Sequence, residues 1–253
     1  MTVMFVDIRG FATLSEAMTP QENFDFVNAY FQRVSPEVRG HQGFIVKYLG
    51  DGLMAIFPER AEDAIAAGIA QLQQMQQFEV DDFGLKAVHI GIGIHHGPMM
   101  VGIVGEAQRM QGDAFSDDVN LASRLEGLTK FYGVSMLISE QVLAQLGADH
   151  PYQVRELDRV TVKGRSQPLR IYEVFDGDPS QTRYRKAQTR RHFEAGIHCY
   201  QVGDFVAAQG HFRAVLQIHP EDKPAQLYGK RLAGLLSKPP KSPWTGVSEW
   251  GRK

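Results

Sequence analysis

A single cysteine, Cys199, stands in 253 residues. No intrachain disulfide can form, so the fold must rest on its core, and a reducing compartment is expected. No apolar run approaches the roughly 20 residues that span a bilayer. No basic segment leads into an apolar one as in a signal peptide. A cytoplasmic location is therefore expected, with any membrane anchor lying upstream. Excess positive charge is missing too. A net charge of -2 argues against a general nucleic-acid binder, because affinity for a phosphate backbone needs basic groups. There is no Walker A sequence, no HExxH and no Cys/His cluster. Gly91, Gly93, Gly97, Gly102 and Gly105 do not follow the dinucleotide fingerprint. Gly91 and Gly93 read instead as close-packing positions, and His95-His96 as a structural pair at a strand end. What is present is ordinary for a globular protein, 43% apolar and 22% charged, with length enough for one large domain or two small ones. Strand-like sequence begins at residue 2 without lead-in, as expected of a fragment of a longer chain.

Thr2 to Ile8 reads as a mostly apolar, β-branched strand broken at Gly10. Thr19-Pro20-Gln21-Glu22 is a helix start with a capping box, and the apolar positions from Phe24 to Val34 recur at helical spacing. That helix is expected to end near Gly40 to Gly43. Gly43 to Phe57 reads as two strands joined through Gly50-Asp51-Gly52, since Asp-Gly at a tip suits a tight turn with positive φ. A second helix is expected over 61–78, a strand from Lys86 to Ile94 and an extended piece from Met99 to Val104. A helix capped by Asp117 or Asp118 should run to about Phe131, and a short helix should cover 140–146. Val134 to Ser139, Tyr152 to Leu157, Arg159 to Val162 and Leu169 to Phe175 look like further strands. This order predicts an α+β fold of the ferredoxin-like, split βαβ plan, with an antiparallel sheet and helices on one face.

The remainder changes character. Residues 176–191 are polar and read as a linker or a solvated helix start. Over 192–237, Phe193, Gly196, Tyr200, Gly203-Asp204-Phe205, Ala208, Phe212, Val215 and Pro220 resemble one tetratricopeptide repeat, a helical unit that could offer a protein partner a surface. Residues 238–253 read as a flexible tail.

Several side chains carry chemistry. Asp7 ends a buried strand, and Asp51 sits on a hairpin tip. If their strands are neighbours, the two carboxylates and the bare Ile8–Phe11 loop form an oxygen-rich site for Mg²⁺ or Mn²⁺. Asp51 alone is equally an ordinary turn former. Asn120 and Arg124 lie one helical turn apart and share a face. They could orient a sugar and stabilise a phosphoryl transition state, or form a solvated face with Arg124 paired to an acid. Lys163, in Val162-Lys163-Gly164, could reach a triphosphate or simply mark an exposed sheet edge. Lys47 stands out in an otherwise apolar strand. Asp113 lies in an unpatterned polar loop and has no reading from spacing alone.

Taken together, FVDIRGF, VKYLGDGLMAIF, IGIGIHHGPMMVGIVG, GDAFSDDVNLASRLE and VKG resemble the class III nucleotidyl cyclase catalytic domain, over residues 1–175. The resemblance implies conversion of ATP to 3′,5′-cyclic AMP and pyrophosphate with two divalent cations, Mg²⁺ or Mn²⁺. By its pattern Asp7, Asp51 and the Ile8 carbonyl hold the ions, with Gly10 and Phe11 in the phosphate loop. Lys47 and Asp113 read adenine, Asn120 orients the ribose, Arg124 is the transition-state arginine and Lys163 binds the triphosphate. Guanylate cyclases of the family typically carry glutamate and cysteine at the base-reading positions, so ATP is expected over GTP. The two groups come from different subunits in the family, which implies a homodimer with two shared sites. Ala12 departs from the pattern, where a hydroxyl residue often follows the phenylalanine. A guanylate cyclase is the nearest rival, and a catalytically inactive dimerisation or nucleotide-sensing module is the rival of another kind.

Overall fold

The computed structural model describes residues 1–78, 87–106, 108–162, 167–240 and 243–250. They divide into two compact units. One holds Met1–Lys130 with Ser135–His150, the other Phe131–Val134 with Pro151–Lys253.

The first unit opens with β1 (Thr2–Ile8), a six-residue helix α1 (Phe11–Glu16) and the long α2 (Pro20–Gly40). Thr19 caps α2 with its hydroxyl on the Glu22 N–H, and the Glu22 carboxylate reaches back to the Thr19 N–H, as the capping box predicts. Next come β2 (Phe44–Leu49), β3 (Gly52–Phe57), α3 (Ala61–Gln76) and β4 (Ile90–His96). The antiparallel pair β5 (Met100–Glu106) and β6 (Arg109–Phe115) follows as a separate small sheet. Then come α4 (Asp117–Tyr132), β7 (Met136–Ser139) and α5 (Glu140–Leu146). Helix α4 starts on the Ser116 hydroxyl, which accepts from the Asp118 and Val119 N–H groups at 3.1 Å, rather than on an aspartate. The main strands of this unit run in the order β7-β4-β1-β3-β2.

Two expectations change here. The sheet is mixed, because β4 and β7 run parallel while β1, β2, β3 and β4 pair antiparallel. Helices also cover both faces. A Cβ on Gly68 of α3 would lie 2.6 Å from Met136 and 3.5 Å from Ile92, whereas a Cβ on the adjacent strand residue Gly93 would meet the Glu126 backbone of α4 at 2.2 Å. Successive strand residues point to opposite faces, so α3 and α4 flank the sheet. Gly91 and Gly93 are indeed close-packing positions: the α4 backbone rests directly on Gly93, and the Thr129 and Glu126 side chains fill the space over Gly91. The strand expected from Lys86 is β4 from Ile90 among the described residues; 79–86 lie outside them. His95 is buried, bonded to Ser139 at 2.8 Å and to Asp118 at 3.0 Å, a structural histidine.

The second unit contains β8 (Val154–Val162), β9 (Leu169–Val174), helices α6 (Ser180–Val202), α7 (Phe205–Ile218) and α8 (Lys223–Ser237), and β10 (Ser248–Trp250). The two strands expected before Lys163 are one, β8, with an irregularity between Glu156 and Asp158. The linker expected over 176–191 is mostly helix, since α6 starts at Ser180 and Lys186 and Thr189 are buried. The cause is electrostatic. Lys186 is drawn inward to Glu173 and Asp178, and Glu173 also takes the Arg155 guanidinium at 2.6 Å. Arg155 is fully buried, bonds Asp222 at 2.7 Å, and lies 4.1 Å from the centre of the Phe193 ring. The expected flexible tail is also ordered over 243–250. Trp244 packs edge-on against Tyr200 and Phe205, and Ser248–Trp250 pairs in parallel with β8.

Candidate active site

Strand β1 lies between β3 and β4, with Val6 opposite Leu53 and Asp7 opposite Gly91. The tight turn at Gly50-Asp51 therefore brings Asp51 beside Asp7. The left-handed conformation falls on Gly50, at φ +67°. Gly52 is needed for another reason: a Cβ there would sit 2.8 Å from the Val6 carbonyl oxygen and 3.0 Å from the Asp7 carboxylate. Asp7, Ile8, Gly10, Phe11, Ala12 and Asp51 line one open cavity of about 320 Å³. Gly10 caps α1 in the left-handed conformation and brings no side chain to its first turn. Phe11 stacks on the buried Phe26 of α2, which seats the loop.

Three further residues line this cavity: Arg9 from the loop, and Glu126 and Lys130 from α4. Reading the sequence missed them, because an acid and a lysine one helical turn apart look like a surface pair. Burial, then the charge of Asp51 and a hydrogen bond with it, raise the Asp7 carboxyl to about 7. Burial, then the charge of Asp7, raise Glu126 to about 7 as well. Two carboxylates held together against their repulsion suit a divalent cation, and with the Ile8 carbonyl the donor set is all oxygen. Among the described residues no three His, Cys, Asp or Glu side chains converge as a metal-binding group. The donors beyond Asp7, Asp51 and Ile8 would thus be substrate or water oxygens.

A second constellation forms at the β5–β6 pair. Asp113, expected in a loop, lies in β6 opposite Gly102. Lys47 donates to both its carboxylate oxygens at 2.7 Å, and the Ala114 N–H to one of them at 2.8 Å. The lysine bond is the chief cause that holds Asp113 below the usual carboxylate range. The reach of Lys47 depends on a bulge in β2. Ile45 opposes Ala55 and Lys47 opposes Met54, leaving Val46 without a register partner. Ile45 and Lys47 thus take opposite faces, which regular alternation would forbid. Val46 packs against the cluster of Val3, Met54, Ile56, Ala114, Val119 and Ala122, under the β5–β6 pair.

Asn120 is exposed on α4 and Arg124 half-buried. Among the described residues Arg124 makes no ion pair, so the reading of it as a surface arginine matched to an acid finds no support. Neither residue lines the Asp7–Asp51 cavity. Lys163 lies outside the described residues.

The family model for the adenylate and guanylate cyclase catalytic domain matches residues 1–175. The chain is 35% identical over 236 residues, 91% of its length, to an adenylate cyclase, terminal-differentiation specific, of Dictyostelium discoideum, of which it spans 11%. It is 40% identical over 182 residues, 69% of its length, to an adenylate cyclase of Anabaena cylindrica, of which it spans 36%. Among solved structures it is similar to an adenylyl cyclase from P. aeruginosa, with TM-score 0.59 and 30% identity over 68% of this chain and 92% of that one. The chain thus corresponds to only a part of the curated relatives.

Proposed function

Because the chain belongs to the adenylate and guanylate cyclase catalytic domain family, we infer that it is an adenylate cyclase, making 3′,5′-cyclic AMP and pyrophosphate from ATP at sites shared by two copies. The observation that carries the choice of base is the Lys47–Asp113 pair, bonded at 2.7 Å through both carboxylate oxygens. Lysine donates to adenine N1, and aspartate accepts from the 6-amino group. Guanine offers a proton at N1 and an oxygen at position 6, so it would face a donor with a donor and an acceptor with an acceptor. Unpaired buried polar groups of this kind reject the wrong base strongly.

Asp7, Asp51 and the Ile8 carbonyl would hold two divalent cations, Mg²⁺ or Mn²⁺. The chemistry such ions supply is a lowered pKa for the ribose 3′-hydroxyl and neutralisation of charge on the leaving pyrophosphate. The remaining work falls to the chain itself. Asn120 orients the ribose, so that the 3′-oxygen approaches the α-phosphorus in line with the bond to the β-phosphate bridge. The new O–P bond forms as that bridge bond breaks, and the 3′-hydroxyl proton leaves to solvent. Arg124 stabilises the charge that develops on the α-phosphate oxygens. The N–H groups of the Gly10–Phe11 loop and Lys163 bind the triphosphate. Asp7 and Asp51 belong to one copy, and Lys47, Asp113, Asn120, Arg124 and Lys163 to the other, so a monomer is inactive.

The strand order of the first unit supports reading it as the split βαβ plan, and helices α6 to α8 read as a tetratricopeptide-like segment built onto the strands of its own unit. A cytoplasmic location, where ATP is abundant, belongs to the same reading. No helix among the described residues is long and apolar enough to cross a membrane. The experiment is direct: purified protein is given ATP or GTP with Mn²⁺ or Mg²⁺. Cyclic AMP formed in clear preference to cyclic GMP supports the reading. Equal rates with the two nucleotides overturn the base assignment, and no product from either overturns catalysis.

A further inference from the structure

Helix α4 carries two pairs of chemically active residues. Asn120 and Arg124 form one i,i+4 pair, Glu126 and Lys130 the other. At 3.6 residues per turn, Glu126 follows Arg124 by about 200° around the axis, so the pairs face nearly opposite ways. The structure places Glu126 and Lys130 in the cavity with Asp7 and Asp51. It places Asn120 and Arg124 outside that cavity, with Asn120 exposed.

The seating of Glu126 is set by backbone. A Cβ on Gly93 would fall 2.2 Å from the Glu126 N and 2.5 Å from the Ala122 carbonyl oxygen, so α4 is pressed onto β4 at this point. The Glu126 carboxylate lies over Gly91, 2.7 Å from where a Cβ there would be, and the Arg9 guanidinium lies over the same glycine at 3.6 Å. Gly91 is the ladder partner of Asp7. The carboxylate is therefore held behind Asp7, next to the cation that flanks it. It is not one of a converging ligand trio.

We propose that α4 serves two sites at once: Glu126, with Lys130, positions Asp7 and Arg9 in the metal cavity of its own chain, while Asn120 and Arg124 serve the site completed by the other copy. This rests on the shared-site reading above. It makes Glu126 a positioning residue, acting through Asp7 and Arg9. It also gives the two sites of a dimer a single rigid connection, less than three helical turns long.

Mixing experiments separate the alternatives. Three chains, Asp51→Ala, Arg124→Ala and Glu126→Gln, are purified, mixed in pairs and assayed for cyclic AMP. Mn²⁺ binding to each homodimer is titrated by electron paramagnetic resonance. Glu126→Gln alone should lose activity about 10- to 100-fold, the usual cost of removing an outer-shell partner, and weaken Mn²⁺ binding about 10-fold. Arg124→Ala should leave Mn²⁺ binding unchanged. The mixture of Glu126→Gln with Arg124→Ala should recover one intact site per heterodimer, and the mixture with Asp51→Ala should not. Rescue by Asp51→Ala instead would assign Glu126 to the Arg124 group and overturn the proposal. So would wild-type activity and Mn²⁺ binding in Glu126→Gln, or rescue in neither mixture while Asp51→Ala with Arg124→Ala recovers activity. If that control pair also fails, the shared-site reading falls and the proposal with it. Lys130→Ala, a change at an exposed position, should repeat the Glu126 pattern without disturbing the contact of α4 with β4.

Discussion

Lys47 and Asp113 stand 66 positions apart in the chain, and the lysine ammonium bonds both oxygens of the aspartate at 2.7 Å. The edge strand β2 of the main sheet and a strand of the small β5–β6 pair thus present one donor and one acceptor side by side. That is the pattern that the Watson–Crick edge of adenine requires.

The first prediction concerns that edge. Asp113→Ala should lower kcat/KM for ATP by at least about 100-fold, since the amino group loses its partner. The double change Lys47→Glu with Asp113→Cys should move preference toward GTP. Kinetics with both nucleotides give the measurement. An unchanged ATP to GTP ratio in the double variant would refute the roles assigned to these residues.

The second concerns Asp7. Its carboxyl is raised from 3.8 to about 7 in the fold, by burial first and by Asp51 second. Folding therefore favours its protonated form. Its contribution to stability is full below about pH 4 and is lost as pH rises toward 7. Metal-free protein should lose melting temperature from this source between those limits. Mn²⁺ or Mg²⁺ should raise the melting temperature more at pH 8 than at pH 5. Asp51→Asn removes the second cause and should flatten the pH dependence, and it should cost activity roughly 10²–10³-fold or more. Thermal melts across pH, with and without metal, test this.

The third concerns the contact of α4 with β4. Gly93→Ala forces a Cβ to within 2.2 Å of backbone. It should destabilise the protein by about 1–3 kcal/mol through overpacking and lower activity by shifting α4. Gly102→Ala, where nothing lies within 4 Å of the new Cβ, should stay within about 0.5 kcal/mol of the parent. Denaturant titrations of the two variants make the comparison.

The fourth concerns the second unit. Arg155→Ala leaves the buried carboxylates of Glu173 and Asp222 without their shared partner. A loss of about 3–5 kcal/mol is expected. Hydrogen exchange should show loss of protection in α6 and α8, which the ion network joins to β8 and β9.

Much of this architecture was legible in the sequence, and the reasons are local. The capping box at Thr19 and Glu22, the Gly50-Asp51 turn and the apolar period of α2 each act over a few residues. Their elements appear where short-range chemistry puts them. That Asp7 and Asp51 come together was legible as well, because Asp7 lies near the end of β1 and Asp51 on the turn that leads into β3. Asp113 was not, since β6 is polar and exposed along most of its length and owes its strand state to pairing with β5. Glu126 was hidden for a related reason: its role comes from Gly91 and Gly93, distant in sequence, which bring its helix down onto β4. The segment from Asp176 to Arg191 misled because a basic run reads as solvated, whereas Lys186 is held inside by acids from β9 and the turn after it. The TPR-like pattern identified helices, but their attachment to β8 and β9 rests on the Arg155 network, which no local pattern announces.

The bulge at Val46 has an evolutionary side. It sits between the outer half of β2 and the half that runs through Lys47 to the Gly50-Asp51 turn. Removing one residue there would force one half to slip. Either Phe44 and Ile45 exchange faces, or Lys47 turns away from Asp113 and Asp51 leaves its place beside Asp7. Substitutions can alter the Lys47–Asp113 pair one residue at a time, but insertions and deletions in this strand meet a barrier set by both that pair and the placing of Asp51. Variation in strand length should therefore be far rarer here than variation in side chain, and grafting Lys47 onto a relative with a regular strand would carry over the residue without its aim.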